Sequence, residues 1–202
     1  MIKNVVFDMG KVLIRYDAYA YVNQYVNDKG AVNLLCEEVF QSVEWIQMDR
    51  GIVDEKAAMH SIESRLPEEL RSYVPMLIEN WHKEMPPYEE MELLTRQLKE
   101  NGYRLYLLSN TCKRFHEFRV NIPALRYFEG EFISADYRML KPELIIFQTF
   151  YQHFNLNPAE CFFVDDNNAN IEAAKMTGMS GFIYRGDVEK CRAAMRKEGI
   201  RI

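Results

Sequence analysis

Short apolar runs alternate along the chain with segments in which apolar residues recur at helical spacing. The apolar runs are rich in β-branched and aromatic residues and predict buried strands. They are Ile2–Phe7, Leu105–Leu108, Glu131–Ser134, Cys161–Val164 and Gly181–Tyr184. The periodic segments predict helices at Tyr88–Asn101, Glu143–Phe154, Ala169–Thr177 and Asp187–Glu198. Strands that alternate with helices predict an α/β fold, with a parallel sheet covered on both faces.

The stretch between residues 15 and 87 lacks this alternation. It contains only segments of helical period, at 17–28, 33–43, 54–65 and 68–84. The predicted N-caps in this stretch are Asp17, Asn33 and Asp54. Pro86-Pro87 ends the last helix, because proline cannot continue it. We therefore predict a helical cap of residues 15–87, inserted into a core domain of residues 1–14 and 88–202.

The bulk properties exclude several classes of partner. A net charge of -5, with no tract rich in Lys or Arg, argues against nucleic acid. No apolar run is long enough to span a bilayer, and the first residues resemble a strand rather than a signal peptide. The four cysteines lie far apart, without zinc-binding spacing. We therefore expect a cytoplasmic protein with reduced thiols and no membrane contact.

Acidic, hydroxyl and basic side chains follow the predicted strands in a fixed order. Asp8 ends the first strand, Ser109-Asn110 end the second, Lys141 lies in LKPE, and Asp165-Asp166 end a later strand. Because the carboxyl ends of parallel strands meet at one edge of a sheet, the three motifs at strand ends, those of Asp8, Ser109 and Asp165-Asp166, are predicted to converge there. Each motif alone also has a structural interpretation, since an acidic pair can cap a helix. Their joint occurrence favours a catalytic site.

The residue types at this predicted edge suit phosphoryl transfer. A carboxylate can attack phosphorus and form a covalent intermediate, which is the role we predict for Asp8. Mg²⁺ prefers carboxylates together with substrate oxygens, so Asp8, Asp165 and Asp166 are its predicted ligands. The sequence therefore predicts a magnesium-dependent phosphohydrolase.

Donors for the phosphate oxygens are predicted on the same edge. The Ser109 hydroxyl and the Asn110 backbone amide can donate hydrogen bonds to them, and Lys141 supplies a fixed positive charge. The backbone amides of Met9 and Gly10 lie beside Asp8 in the sequence and would complete the phosphate site.

The four motifs, read together, resemble those of the haloacid dehalogenase superfamily. They are FDMGKVL, LLSNT, LKPE and VDDNNANIEAA, with a helical insertion after the first. The pattern is most similar to the subgroup that includes glucose-1-phosphate phosphatase. The resemblance implies a Rossmann-like core, a C1-type cap, Mg²⁺, and a small phosphorylated metabolite as the substrate. By motif position, it makes Asp8 the nucleophile, and it adds the Gly10 backbone carbonyl to the metal ligands.

Gly10 departs from the pattern of most phosphatases in this superfamily. They carry an aspartate two residues after the nucleophile, which protonates the leaving group and then activates water. Such general acid–base catalysis contributes about 10²–10⁴-fold to the rate. Three explanations are open: Asp17 substitutes for the missing aspartate, the leaving group needs little protonation, or the protein is slow or inactive. Asp17 also has a purely structural interpretation as a helix N-cap.

Substrate specificity is expected to come from the cap, near residues 14–18 and 43–50. Tyr16 and Trp45 in these stretches are candidates for substrate contact, and both are also typical packing residues. The leading hypothesis is hydrolysis of a small phosphomonoester such as a sugar phosphate, by a monomer or a homodimer. The alternatives are a catalytically silent regulatory or binding protein and a dehalogenase. Dehalogenation needs no metal, so the retained acidic pair argues against it.

Overall fold

The computed structural model describes all residues from Met1 to Ile202, and its centre is a five-stranded parallel sheet. The strands are β1 (Asn4–Phe7), β2 (Arg104–Ser109), β3 (Gly130–Ile133), β4 (Cys161–Asp165) and β5 (Ser180–Ile183). Their spatial order is β3-β2-β1-β4-β5. The order reverses beside β1, and in open α/β sheets this is where ligands bind, outside the carboxyl ends of the strands. The predicted strands are confirmed to within two residues at each end.

The chain between β1 and the second half of the fold is helical. Its α-helices are α1 (Ala18–Val22), α2 (Lys29–Leu35), α3 (Val43–Asp49), α4 (Glu55–Arg65), α5 (Glu68–Arg71) and α6 (Tyr73–Asn80). A π-helical turn, Cys36–Phe40, continues α2, and a 3₁₀ turn, Trp81–Glu84, continues α6. This segment contains no strand, as the hydrophobic pattern predicted.

Helices after this segment alternate with the remaining strands. They are α7 (Glu89–Glu100), α8 (Phe115–Phe118), α9 (Ser134–Tyr137), α10 (Leu144–Phe154), α11 (Asn168–Met176) and α12 (Val188–Lys197). The four long ones match the periodic segments of the sequence. None of the helices in the fold is both long enough and apolar enough to cross a membrane.

Helix boundaries differ most from the prediction near residue 33. Asp17 and Asp54 are confirmed as N-caps, because their carboxylates accept hydrogen bonds from the amides of Ala20 and Ala57. Asn33 was predicted wrongly, since it lies inside α2, and Asp28 caps that helix through the amide of Ala31. Helix α3 was not predicted.

The sheet is buried on both faces because neighbouring strand residues point to opposite sides. Val5 and Phe7 of β1 pack into a large cluster that continues into the helical segment. Val6 faces the other side and packs with Phe147 and Phe163 in a smaller cluster. Complete burial of β1 fixes the position of Asp8, the next residue along the chain.

Two chain crossings connect the helical segment to the sheet, and they lie side by side. The Arg15 amide donates to the Pro86 carbonyl at 2.8 Å, and the Tyr88 amide donates to the Leu13 carbonyl at 2.9 Å. The segment therefore leaves and re-enters the fold at one place, as an insertion would. We retain residues 15–87 as the proposed extent of the cap.

Candidate active site

Three of the predicted site residues lie at the carboxyl edge of the sheet. Asp8 follows β1, Ser109 is the last residue of β2, and Asp165 is the last residue of β4. The Asp8 amide donates to the Val164 carbonyl at 2.9 Å, which extends the β1–β4 pairing to the end of the strand. Because the three strands are adjacent and parallel, their carboxyl ends lie side by side at one edge of the sheet, which is where the sequence placed these residues.

Lys141 brings the two buried carboxylates of this edge together. Its Nζ lies 2.8 Å from Oδ1 of Asp8 and 2.7 Å from Oδ2 of Asp165. It also donates to the Leu108 carbonyl at 2.8 Å. Burial disfavours the ammonium charge, but the two carboxylates outweigh burial and raise the pKa of Lys141 above its ordinary value. Lys141 is therefore a permanent cation inside the site.

Asp165 is fully buried, and both of its carboxylate oxygens are engaged. Oδ1 accepts from the Asn167 amide at 2.7 Å, and Oδ2 accepts from Lys141. The Asn170 side-chain amide donates to both oxygens, at 3.1 and 3.0 Å. Such a carboxylate holds its neighbours in place, and it fixes the position of Lys141.

The loop after β2 presents Ser109 and Asn110. The Ser109 hydroxyl is buried and has no hydrogen-bond partner, which is costly for a buried polar group unless a ligand completes it. The Asn110 side chain donates to the Lys141 carbonyl and accepts from the Lys141 amide, both at 2.9 Å. This reciprocal pair ties the Lys141 backbone to the end of β2.

The acidic residues of the site suit a divalent cation. Oxygens of Asp8, Asp165 and Asp166 all lie within 4.8 Å of one another. Three carboxylates beside the buried ammonium of Lys141 leave an excess of negative charge, which a divalent cation would balance. Burial and, next, the neighbouring Asp165 raise the pKa of Asp166. Burial likewise raises the pKa of Asp8, although Lys141 opposes this shift. This crowding of negative charge fits a metal site.

A cavity of about 280 Å³ opens above this edge. Its floor comes from the sheet and the loops around it and is mostly polar: Asp8, Met9, Gly10, Lys11, Asn110, Thr111, Lys141, Asp166, Asn167 and Asn170. Its opposite wall comes from the helical segment and consists of Tyr16, Phe40, Trp45, Asp49 and Trp81. The cavity thus has one wall that suits a phosphate and another that is almost entirely aromatic.

The aromatic wall is continuous. The rings of Phe40 and Trp45 have centroids 4.8 Å apart, and those of Trp45 and Trp81 are 5.8 Å apart. Tyr16 packs edge-on against Trp81 at 5.8 Å. Tyr16 and Trp45, which the sequence left between substrate contact and packing, pack against other rings and also line the cavity.

Asp17 does not line the cavity itself. Its side chain caps α1, and the residue lines a neighbouring groove that shares Lys11, Tyr16 and Asp166 with the cavity. Asp49 lines the cavity instead, at the end of α3. Sequence reasoning missed Asp49, although it had indicated residues 43–50 as a region that sets specificity. An acidic residue two positions before Gly51 does not by itself indicate a functional site, because the position of Asp49 at the cavity depends on tertiary contacts.

The parallel sheet and the covering helices define a Rossmann-like α/β fold, and its polar edge, with a lysine that links two aspartates, is that of a hydrolytic enzyme. The haloacid dehalogenase-like hydrolase family matches residues 2–178 of the chain. The protein belongs to this family.

Similar proteins agree with this assignment. A sesquiterpene phosphatase of Aspergillus oryzae is 28% identical over 192 residues, which cover 94% of this chain and 93% of that protein. An enzyme of the same superfamily from Bacteroides thetaiotaomicron, solved in complex with magnesium and inorganic phosphate, aligns with a TM-score of 0.65 at 22% identity, covering 92% of this chain and 96% of that chain.

The L-2-haloacid dehalogenase of Xanthobacter autotrophicus, solved with chloropropionic acid covalently bound, aligns with a TM-score of 0.66 at 16% identity, covering 100% of this chain and 85% of that chain. Phosphatases and dehalogenases thus share this fold, so the fold does not decide the chemistry, which must be argued from the site.

Proposed function

We propose that the protein is a magnesium-dependent phosphatase that hydrolyses a small phosphomonoester through an aspartyl-phosphate on Asp8. The observation that carries this proposal is the position of Asp8. It ends the central strand, pairs with Lys141, and lies within 4.8 Å of a second and a third carboxylate. A carboxylate among such charges is suited to attack a phosphate dianion, which an uncompensated carboxylate would repel.

Donors around Asp8 would hold the transferring phosphoryl group. The unpartnered Ser109 hydroxyl is available to donate to a phosphate oxygen. Lys141 adds a positive charge, and the backbone amides of Met9, Gly10 and Asn110 complete the proposed set. Each of these donors stabilises charge that grows on the phosphoryl oxygens during transfer.

The proposed metal ligands are the carboxylates of Asp8, Asp165 and Asp166 and the backbone carbonyl of Gly10. Of the carboxylates, Asp165 is the most fully engaged by protein donors, and Asp166 lines the cavity. When bound, Mg²⁺ supplies Lewis-acid stabilisation of the transferring phosphoryl group. The related enzyme solved with magnesium and phosphate supports this choice of metal.

The aromatic wall favours a substrate whose organic part is apolar. The helical segment contributes four aromatic side chains to the cavity and a single ionisable carboxyl group, that of Asp49. A sugar would need several partners for its hydroxyl groups, whereas an isoprenoid or aryl group would bury apolar surface against the rings. The similarity to a sesquiterpene phosphatase also favours a substrate with an apolar organic part. Between sugar and apolar phosphomonoesters, the site supports the apolar class better.

Phosphate release from paired substrates tests this proposal. We expect Mg²⁺-dependent release that EDTA abolishes and that disappears in Asp8→Asn. Farnesyl phosphate should be hydrolysed with a kcat/KM at least about tenfold above that of glucose 1-phosphate, since burying two or more methylene groups contributes more than about 1.4 kcal/mol. The reverse preference would contradict the apolar class.

Halide release from 2-chloropropionate separates the two enzymatic alternatives. Metal-independent release of chloride, with no phosphate release from any ester, would establish a dehalogenase. Neither product from folded wild-type protein would indicate a silent regulatory or binding protein. We expect phosphate release only.

A further inference from the structure

The cavity contains one carboxyl group that the proposed phosphoryl and metal sites do not use. Asp8, Asp49 and Asp166 are its acidic residues. Asp8 pairs with Lys141, and Asp166 belongs to the acidic cluster with Asp8. Asp49 alone comes from the opposite wall, where α3 ends. A substrate whose phosphate lies on the floor would direct its organic part, and hence its leaving oxygen, towards that wall.

The backbone at Asp49 is fixed against the sheet side of the fold. The Ser134 hydroxyl donates to the Asp49 carbonyl at 2.5 Å, and the Thr111 amide donates to Ser134 Oγ at 2.9 Å. Gly51 packs directly against the backbone of Ala135, so closely that a Cβ at position 51 would overlap it. These contacts hold the end of α3 over the carboxyl edge and place the Asp49 side chain at the cavity.

The surroundings of Asp49 favour its neutral form. Burial, followed by the negative charge of Asp8, raises the pKa of Asp49 to about 8, and the Cys112 backbone amide opposes this shift only in part. Burial and, next, Asp49 also raise the pKa of Tyr16, whose phenol shares the cavity. Near neutral pH the Asp49 carboxyl therefore carries a proton that it can donate.

We propose that Asp49 is the general acid and base of the reaction, in place of the aspartate that Gly10 does not supply. This inference rests on the proposed phosphatase function. Asp49 differs from the missing aspartate in its origin, because it comes from the helical segment rather than from the loop beside the nucleophile.

The two half-reactions balance with Asp49 in this role. In the first, an Asp8 oxygen forms a bond to phosphorus while the bond to the ester oxygen breaks. The Asp49 proton moves to that oxygen, so an alcohol leaves and Asp49 becomes a carboxylate. In the second, Asp49 takes a proton from water as the water oxygen attacks phosphorus. The bond to Asp8 breaks, inorganic phosphate forms, and Asp49 is protonated again.

Comparing leaving groups tests the first of these steps. p-Nitrophenolate leaves without protonation, whereas a simple alkoxide needs a proton. In Asp49→Asn, we expect kcat/KM for an alkyl phosphate to fall by about 10²–10³-fold, and that for p-nitrophenyl phosphate to fall by less than about tenfold. Asparagine is nearly isosteric with a protonated carboxyl, so this variant should fold. Asp49→Ala, checked by circular dichroism, is the second variant and should show the same selectivity.

Two matched variants test which residue protonates the leaving group. Asp17→Asn replaces the candidate that the sequence suggested, and Asp54→Asn replaces another helix N-cap outside the cavity. Asparagine caps helices as well as aspartate does, so both should fold. We expect neither variant to show a loss that depends on the leaving group. A selective loss in Asp17→Asn, with none in Asp49→Asn, would overturn the proposal.

An aspartate restored at position 10 should rescue the loss of alkyl phosphate hydrolysis in Asp49→Asn. A Cβ at position 10 would lie 3.7 Å from the Tyr16 Cβ, an ordinary contact, so Gly10→Asp can be accommodated at that atom. In Asp49→Asn/Gly10→Asp, we expect at least about tenfold recovery of alkyl phosphate hydrolysis over Asp49→Asn. Equal losses on both ester types, with no recovery, would reject the role of Asp49 and leave the phosphatase proposal standing. If the wild type releases no phosphate from either ester, both proposals fail.

Discussion

Nζ of Lys141 lies 2.8 Å from Oδ1 of Asp8, and both side chains are almost fully buried. The same ammonium also contacts Asp165, so one cation serves two carboxylates. An intact buried ion pair often stabilises a fold only weakly, because the cost of removing two charges from water can exceed the energy of their attraction. The arrangement is better explained by chemistry, since a fixed positive charge beside the nucleophile lets a phosphate dianion approach.

Lys141→Met should remove activity, and it should also lower stability, because it leaves two buried carboxylates without their counter-ion. We expect kcat to fall by at least about 10²-fold, because a charge that stabilises the transferring phosphoryl group is lost. The measurement is phosphate release from p-nitrophenyl phosphate at saturating Mg²⁺. Lys3→Met removes an exposed lysine that pairs with Glu160, and it should retain wild-type rates. Activity of Lys141→Met within tenfold of the wild type would contradict this role.

Asp166→Asn should weaken metal binding. Mg²⁺ that binds only the folded state raises the melting temperature, and the rise grows with the ratio of the Mg²⁺ concentration to its Kd. We expect a Mg²⁺-dependent rise in the wild type and a much smaller rise in Asp166→Asn, measured by thermal unfolding without substrate. Glu172→Gln, on the exposed side of α11, is the matched control. An equal rise in Asp166→Asn and the control would exclude Asp166 as a ligand.

Gly51→Ala should disturb the position of α3. Gly51 has φ of +74°, and an added Cβ would also overlap the backbone of Ala135. Gly102 has a similar φ of +85° but open space around it. Both variants carry the backbone strain of a positive φ, about 1 kcal/mol. We expect Gly51→Ala to be the less stable by at least a further 1 kcal/mol or so, measured by urea unfolding, because overpacking adds to the strain.

Gly51→Ala should also slow alkyl phosphate hydrolysis, because the clash displaces the Asp49 backbone two residues away. The control Gly102→Ala should hydrolyse the ester at the wild-type rate. Equal stability and equal rates in the two variants would show that the contact between Gly51 and Ala135 is unimportant.

Glu44 should make stability depend on pH in the acid range. Its carboxylate accepts from Arg65 Nη1 at 2.6 Å and from Nη2 at 2.9 Å, which joins α3 to α4. The hydrogen bond from Arg65 is the main reason that the pKa of Glu44 falls to about 2. A lowered pKa stabilises the fold above the unfolded value of about 4.3, and this contribution is lost as pH falls towards 2.

The expected deficit of Glu44→Gln is about 1 kcal/mol at pH 7, measured by urea unfolding. It should shrink as pH falls from about 4 to about 2. Glu63→Gln, on α4 and outside this pair, should show no such trend. A deficit that stays constant across that range would mean that the carboxylate charge is not its cause.

The sheet and the polar edge could be predicted because they depend on local patterns. A buried strand such as β1 is recognisable from three consecutive apolar, β-forming residues, Val5 to Phe7, and parallel strands bring their ends together whatever lies between them. Asp8 and Asp165 could therefore be placed in one site although they are far apart in sequence.

The helical segment was less predictable because its contacts are tertiary. Asn33 resembled an N-cap by composition, yet the preceding Asp28 caps the helix and Asn33 lies inside it. The position of Asp49 over the cavity depends on Ser134 and Ala135, from a distant part of the chain. A short stretch of sequence does not predict such long-range contacts. The boundaries of the cap at residues 15 and 87 stay a prediction.

The two walls of the cavity come from separate stretches of the chain. The polar floor comes from residues that follow β1, β2, β3 and β4, and the aromatic wall comes from the segment that leaves and returns beside Leu13 and Tyr88. Substitutions in the aromatic wall can therefore change which alcohol is released while the nucleophile and its lysine stay as they are. Exchanging this segment between relatives would exchange the substrate preference together with the acid that protonates the product. Descendants of one ancestor could therefore diversify by changes in a single insertion.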